Sequence, residues 1–267
     1  DTTNTSDGAG DVLIDNNGKV HVFYGSWRFY DDDTTDQVYT TQPYLNGLNY
    51  WNEDMPENEP ARIADMEDIQ AGLPAIANIA DYGSKSICSF PSAGIDANGD
   101  IYLTYQGIRE DLSDGTAQYS HIYGMKTSDG GCTWNTPVDL TNLGTGFEEC
   151  AYSSVARHVD GSLHFIYQED QFAGTSVGPQ AHSEVTNEIV YTAVPVATFN
   201  TPASACNTWI EKSGELCSPD SIMLTASCGQ SYLWSNGATT NAIWGSSYGT
   251  YSVDITTACG TITETID

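Results

Sequence analysis

A short pattern occurs three times in this chain and commits it to an architecture built by repetition. The copies read Asp15-Asn-Asn-Gly18-Lys-Val-His-Val-Phe-Tyr24, Asp96-Ala-Asn-Gly99-Asp-Ile-Tyr-Leu-Thr-Tyr105 and Asp160-Gly161-Ser-Leu-His-Phe-Ile-Tyr167. Aligned on the glycine, apolar side chains fall at +2 and +4 (Val20/Val22, Ile101/Leu103, Leu163/Phe165), and a tyrosine falls at +6. A period of two entered through Asn-Gly or Asp-Gly is a β-strand leaving a hairpin turn. A unit this short cannot bury its own apolar face, so neighbouring copies must stack.

Each copy continues into a loop and a further strand, expected at Gln37–Thr40, His121–Met125 and Glu188–Thr192. After the second comes Thr127-Ser128-Asp129-Gly130-Gly131-Cys132-Thr133-Trp134. The composition suits a tight turn: Asp129 to accept turn amides, glycines for positive φ, and Trp134 to pack between sheets. This stretch resembles the Asp-box of sialidase-type (bacterial neuraminidase repeat) β-propellers. In that family the box is the hairpin between the third and fourth strands of a blade. Asn46–Trp51 reads as a degenerate box with Trp51 aligned to Trp134, and the third copy has none. The resemblance covers roughly residues 1–200 and implies an all-β fold with about three four-stranded blades, whereas a closed ring takes at least about four. The expectation is a partial propeller whose other blades lie upstream in a longer precursor.

From Thr201 the character changes, which divides the chain into residues 1–205 and 206–267. Ser221–Cys228, Tyr232–Thr240 and Tyr248–Ile255 are short alternating segments separated by turn residues, the pattern of a small β-sandwich. The words Trp234-Ser-Asn-Gly-Ala-Thr-Thr240 and Gly249-Thr-Tyr-Ser-Val253 are similar to those of immunoglobulin-like, PKD-related modules common in secreted proteins of Bacteroidetes. Such modules often precede a type IX secretion tail, so the resemblance implies export to the cell surface or medium.

Charge narrows the partners. Against 36 Asp and Glu stand 8 Lys and Arg, a net charge of −28. That disfavours nucleic acid and anionic membranes, and leaves cations, basic partners or simple solubility. Calcium is the one cofactor this composition suggests, with Asp31, Asp32 and Asp33 as the candidate ligands. No apolar run is long enough to span a bilayer, so no membrane insertion is expected. The seven cysteines lack a zinc spacing and read as disulfides of an oxidising compartment. Cys228 and Cys259 flank the C-terminal segment, and Cys206 with Cys217 would close a short loop. Cys88 and Cys150 each lie eleven residues before a repeat glycine, at equivalent positions.

Long segments after the repeat tyrosines are expected as loops on one face, where binding residues usually sit. They carry Trp27, Arg28 and Tyr30; Arg109, Glu110 and Asp111; and Glu169 and Asp170. Arg28 and Arg109 both stand four residues after their tyrosine. They read either as an anion site, which the sialidase resemblance implies, or as partners of nearby acids, the preferred reading. Glu169/Asp170, Glu110/Asp111 and Glu148/Glu149 would suit a glycosidase's carboxylate pair, but such pairs arise readily in an acidic chain. Trp27, Phe29 and Tyr30 read either as a sugar-stacking platform or, the preferred reading, as loop residues packed against the blade. His21 and His164 align with Tyr102 inside the repeat strand, which marks them as structural, and His182 in a loop is the histidine to test. The Asp96-x-Asn98-x-Asp100 spacing fits a hairpin turn better than a calcium loop. The favoured function is a non-catalytic extracellular or cell-surface protein that binds a glycan or protein ligand. The alternatives are a sialidase-like or other glycoside hydrolase, and a structural surface component or secretion cargo. The Phe-Arg-Ile-Pro word of sialidases is absent.

Overall fold

The computed structural model describes residues 2–31, 35, 39–42, 45–57, 59–66, 82–142, 147–176, 182–213, 222–245 and 249–267. The chain is all-β, 60% strand and 2% helix, and part of the sheet structure curls into a half-barrel. The first sheet contains β1 (Thr2–Ile14), β2 (Val20–Tyr30), β3 (Thr40–Gln42), β4 (Leu48–Asn52) and β5 (Ala61–Ala64), ordered β1-β2-β4-β5 with β3 also on β2. The second contains β6 (Cys88–Asp96), β7 (Ile101–Ser113) and β8 (Gln118–Thr127). After β9 (Thr133–Asn135), β10 (Val138–Asp139) adds to β8. The third sheet is β11 (Glu149–Val155), β13 (Ser162–Asp170) and β14 (Glu188–Pro195), while the intervening β12 (His158–Val159) joins β6 in parallel. Then β15 (Ala203–Cys206) returns to pair with β9. Two further antiparallel sheets follow, one of β16 (Ile210–Ser213), β17 (Ile222–Ala226) and β19 (Ala242–Gly245). The other holds β18 (Ser231–Trp234), β20 (Tyr251–Thr257) and β21 (Gly260–Ile266).

The repeat turns form as the sequence predicts. Asp15 Oδ1 accepts the backbone N–H groups of Asn17 and Lys19, both at 2.8 Å. Asp96 Oδ1 does the same for Asn98 and Asp100, at 2.8 and 3.0 Å. Gly18 and Gly99 take φ of 89° and 91°, where a side chain would be strained. Asp96–Asp100 is therefore a hairpin turn.

The three sheets stack, and the stacking follows one rule. Leu13, Phe23, Leu48 and Tyr50 of the first sheet share a core with Ile101, Leu103, Tyr105 and Met125 of the second. On its other face the second sheet sends Tyr102 and Ile122 into a core with Leu163, Phe165 and Tyr167 of the third. Counted from the repeat glycine, the odd face of one copy packs on the even face of the next. The expected +2/+4 burial is thus complete in the second and third copies. In the first copy His21 and Phe23 are fully buried, while Val20, Val22 and Tyr24 remain partly exposed. The difference is a matter of neighbours: no described sheet covers the even face of the first.

The Asp129 turn is built as its composition requires. Asp129 Oδ1 accepts the Thr133 N–H at 2.8 Å, and Thr127 Oγ1 accepts the Gly131 N–H at 3.0 Å. Trp134 is fully buried and meets Phe23 edge-on at 5.8 Å and Tyr50 at 5.4 Å, between the first two sheets. The Asn46–Trp51 stretch is not a second such turn. Trp51 lies within β4, opposite Val22, and the turn that follows is closed by Asn52, whose C=O accepts the Met55 N–H at 3.0 Å.

The cysteine pairing differs from expectation. Cys132 bonds Cys228 and Cys206 bonds Cys259, while Cys88 and Cys150 are buried free thiols. Cys217 lies outside the described residues. Both bridges tie the C-terminal sheets to the Asp129 turn and its β9–β15 pair, and Asn207 Nδ2 donates to the Gly131 carbonyl at 3.0 Å in the same place. Proximity along the chain misled the pairing. The docked C-terminal unit brings distant cysteines together. Its two sheets share a separate core around Leu224, Trp234, Val253 and Ile255. No described helix is long and apolar enough to cross a membrane.

Candidate functional site: a cleft along the first sheet

The segments after the repeat tyrosines are strand for longer than expected. β2 runs on to Tyr30, β7 to Ser113 and β13 to Asp170. In β2 the cause is visible: side chains keep alternating, and β1 and β3 supply ladder partners on both sides. Asn4 and Gln42 stand opposite Arg28. A strand holds a side chain more firmly than a loop, so Trp27 and Arg28 sit on a rigid wall.

That wall bounds a cleft of about 720 Å³, lined among others by Tyr24, Trp27, Arg28, Asn46, Asn49 and Arg62. The volume is that of a small-ligand site. Trp27 packs edge-on against Phe29 at 5.1 Å, and Phe29 in turn against the exposed Tyr39 at 5.2 Å. The Trp27 indole N–H is buried without a hydrogen-bond partner. Asn49 Nδ2 donates to Ser26 Oγ at 2.8 Å, and Ser26 Oγ donates to the Gly47 carbonyl at 2.9 Å, which fixes one side. Gly47, at φ 123°, lets the Arg62 side chain lie against the backbone, since a Cβ there would meet Nε at 2.7 Å.

The arginines divide by partner. Arg62 pairs with Asp65, and Arg157 with Asp11 through two nitrogens. Arg109 donates to both oxygens of Asp111, each at 2.9 Å, and to Asp139 at 2.7 Å. Arg28 Nε donates to a neutral amide, Asn4 Oδ1, at 2.8 Å, and pairs with no carboxylate among the described residues. Its guanidinium is therefore the one in the described cleft whose charge is not already met by an acid.

The other candidates are not gathered at this cleft. Tyr30 is exposed and does not line it. Arg109, Glu110 and Asp111 lie on β7 in the second sheet. There the Arg109 hydrogen bond holds the Asp111 carboxyl below its usual range. Burial raises the Asp139 carboxyl, but His121, at 2.6 Å, and Arg109 outweigh that and lower it. Arg109 thus pairs with nearby acids and braces the second sheet. Glu169 accepts the Tyr167 hydroxyl at 3.1 Å, and Asp170 accepts the Phe172 N–H at 2.8 Å, both in the third sheet. The His182 ring lies tilted against Phe172 at 5.5 Å, with Nδ1 against the Ser183 carbonyl at 2.8 Å. Of the acidic run, Asp32 and Asp33 lie outside the described residues. Among those described, no group of three or more His, Cys, Asp or Glu is placed to hold a metal ion. His21 is structural, with Nδ1 at 2.7 Å from the Tyr50 hydroxyl, and burial lowers its pKa.

A second polar cluster contains a residue that sequence reasoning passed over, Tyr82. Its hydroxyl donates to Glu149, a carboxylate only 2% exposed, and accepts from Ser120 Oγ at 2.9 Å. Glu149 also accepts the N–H groups of Ser120, at 2.9 Å, and Gly174, at 3.2 Å. Burial pushes its pKa up to about 8, against the pull of these donors. Glu149 directly precedes Cys150, and together they begin β11, the edge strand of the third sheet beside β13. Nothing in the sequence around Tyr82 marks it. Arg62 likewise follows no repeat position, and reading Asn46–Trp51 as a degenerate box does not mark Asn46 and Asn49 as cleft residues.

The chain matches no protein-family model and no curated protein sequence.

Proposed function

We propose that this is a non-catalytic extracellular binding protein whose cleft along the first sheet takes an acidic glycan. Arg28 carries the reading: a guanidinium held by a neutral amide on a rigid strand can give its remaining N–H groups to a ligand carboxylate. Trp27 and Tyr24 supply aromatic surface for a sugar ring, and the asparagine amides supply hydroxyl partners. Two disulfides fit an extracellular or oxidising environment, and export is part of the proposal. We read the three stacked sheets as blades of a β-propeller, supported by their antiparallel order and the Asp129 turn, and the last two sheets as an immunoglobulin-like module. A glycan array probed with the wild type, Arg28→Ala and Trp27→Ala tests the ligand. The expected result is binding to carboxylated glycans that falls at least about tenfold in each variant. Equal binding by Arg28→Ala would overturn the assignment.

One observation favours a second reading, a sialidase-like hydrolase. The sialidase resemblance implies a Tyr/Glu nucleophile pair, and Tyr82 is hydrogen-bonded to Glu149. Against it, that carboxylate is buried and already bonded to two backbone N–H groups. A fluorogenic sialoside assay separates the readings: turnover lost in Tyr82→Phe supports hydrolysis, and no turnover by the wild type supports binding alone.

A further inference from the structure

Two aromatic residues stand where a side chain is hardest to place. Phe90 in β6 and Tyr152 in β11 each lie nine residues before a repeat glycine, at φ of 50° and 57°. For a bulky side chain the left-handed region is strained, and such outliers gather at functional sites. Both residues open β-bulges: Phe90 and Pro91 together oppose Tyr105, and Tyr152 and Ser153 together oppose Tyr167. The first copy bulges as well, between Ser6 and Gly10, but it puts Gly8 in the left-handed position, at φ 83°. The bulge itself therefore needs no aromatic residue. Bulges re-aim side chains beside binding sites, and here two copies aim rings at one place.

The Tyr152 ring, on a residue 39% exposed, meets Phe90 at 4.8 Å and Tyr82 at 6.2 Å, nearly at right angles to both (81° and 77°). One chain of hydrogen bonds ties Tyr152 to Tyr82. Gln106 Oε1 accepts the Tyr152 N–H at 3.3 Å, and its Nε2 donates to Ser120 Oγ at 3.1 Å, which donates to the Tyr82 hydroxyl at 2.9 Å. Burial raises the pKa of the Tyr82, Tyr119 and Tyr152 hydroxyls. Carboxylates raise them further, Glu149 at all three and Asp114, Asp170 and Glu148 at Tyr119. Ring faces and carboxylates both favour positive charge, and a net charge of −28 draws cations in from solution. We infer that Tyr152, Phe90 and Tyr82 form a binding site for an organic cation, an alkylammonium group packed against the ring faces. None of the three lines the first-sheet cleft, and the charge preference is the opposite one, so the two sites stand or fall separately.

Isothermal titration of the intact chain with choline tests the site, beside dimethylbutanol, its neutral analogue with carbon in place of nitrogen. Choline is expected to bind at least about fivefold tighter than the analogue, since the two differ in charge and not in shape. Tyr152→Leu, with the wild-type fold checked by circular dichroism, lowers choline affinity at least about fivefold, whereas Tyr152→Phe keeps the ring and stays within about twofold of the wild type. The comparison of the two ligands uses the wild type alone and does not depend on how a variant folds. No binding of choline, or equal binding of the neutral analogue, would overturn the proposal. So would wild-type affinity in Tyr152→Leu, which would mark general attraction to the acidic surface.

Discussion

Gly131 shows how much of this architecture passes through one residue. It takes φ of 96°, and a Cβ there would overlap the Tyr50 side chain, while its carbonyl accepts Asn207. Gly131→Ala is expected to destabilise by more than about 2 kcal/mol in equilibrium denaturation, because backbone strain and overpacking add. The sequence marked this glycine through the turn pattern, but not Tyr50, which faces it from another sheet. Glu149 is the opposite case, buried for reasons no local pattern reveals. Its unfolded carboxyl titrates near 4.5 and its folded one near about 8. The protonated form therefore contributes stability that is full below pH 4.5 and is lost as pH rises to about 8. Glu149→Gln should flatten that dependence. Relative to the variant, the wild type should lose stability steadily as pH rises across the window. Parallel stability–pH curves for the two proteins would contradict the burial argument.

At the scale of strands and turns, legibility depended on whether the deciding contact is local. The Asp15 and Asp96 turns are closed by their own backbone and could be read directly. The extension of β2 to Tyr30 was also present as alternation through Trp27 and Phe29, but an extended strand needs partners, and β1 and β3 come from elsewhere. Disulfide pairing was not legible, because Cys132 meets Cys228 only when the C-terminal sheets dock. The bridges span 96 and 53 residues. In the chain-entropy account each stabilises by about 4–5 kcal/mol. Replacing Cys132 and Cys228 together by serine should lower the melting temperature strongly. A variant that melts with the wild type would show that the docking does not depend on the bridge.

At the largest scale the described residues form three stacked sheets with a disulfide-tethered C-terminal unit, and the candidate site lies on the first of those sheets. Repetition made the stacking legible in the sequence. Which face lies open was not, because the first copy has the same residue pattern as the others and differs in its neighbours. The cleft was half legible: Trp27 and Arg28 were marked by their place after the repeat tyrosine, whereas Arg62 and the asparagines arrive from separate elements. Ligand binding through Arg28 should weaken as salt rises, since a partly exposed charge pair is screened, and titrations at two ionic strengths check this. The wedging of Trp134 between the first two sheets, on which the account depends, is tested most directly by a double-mutant cycle between Trp134 of β9 and Phe23 of the first sheet. With Phe23→Leu and Trp134→Phe, the predicted coupling is about 0.5–1.5 kcal/mol, the range of an edge-on aromatic pair. Additive effects, with no coupling, would contradict the packing of Trp134 against the first sheet.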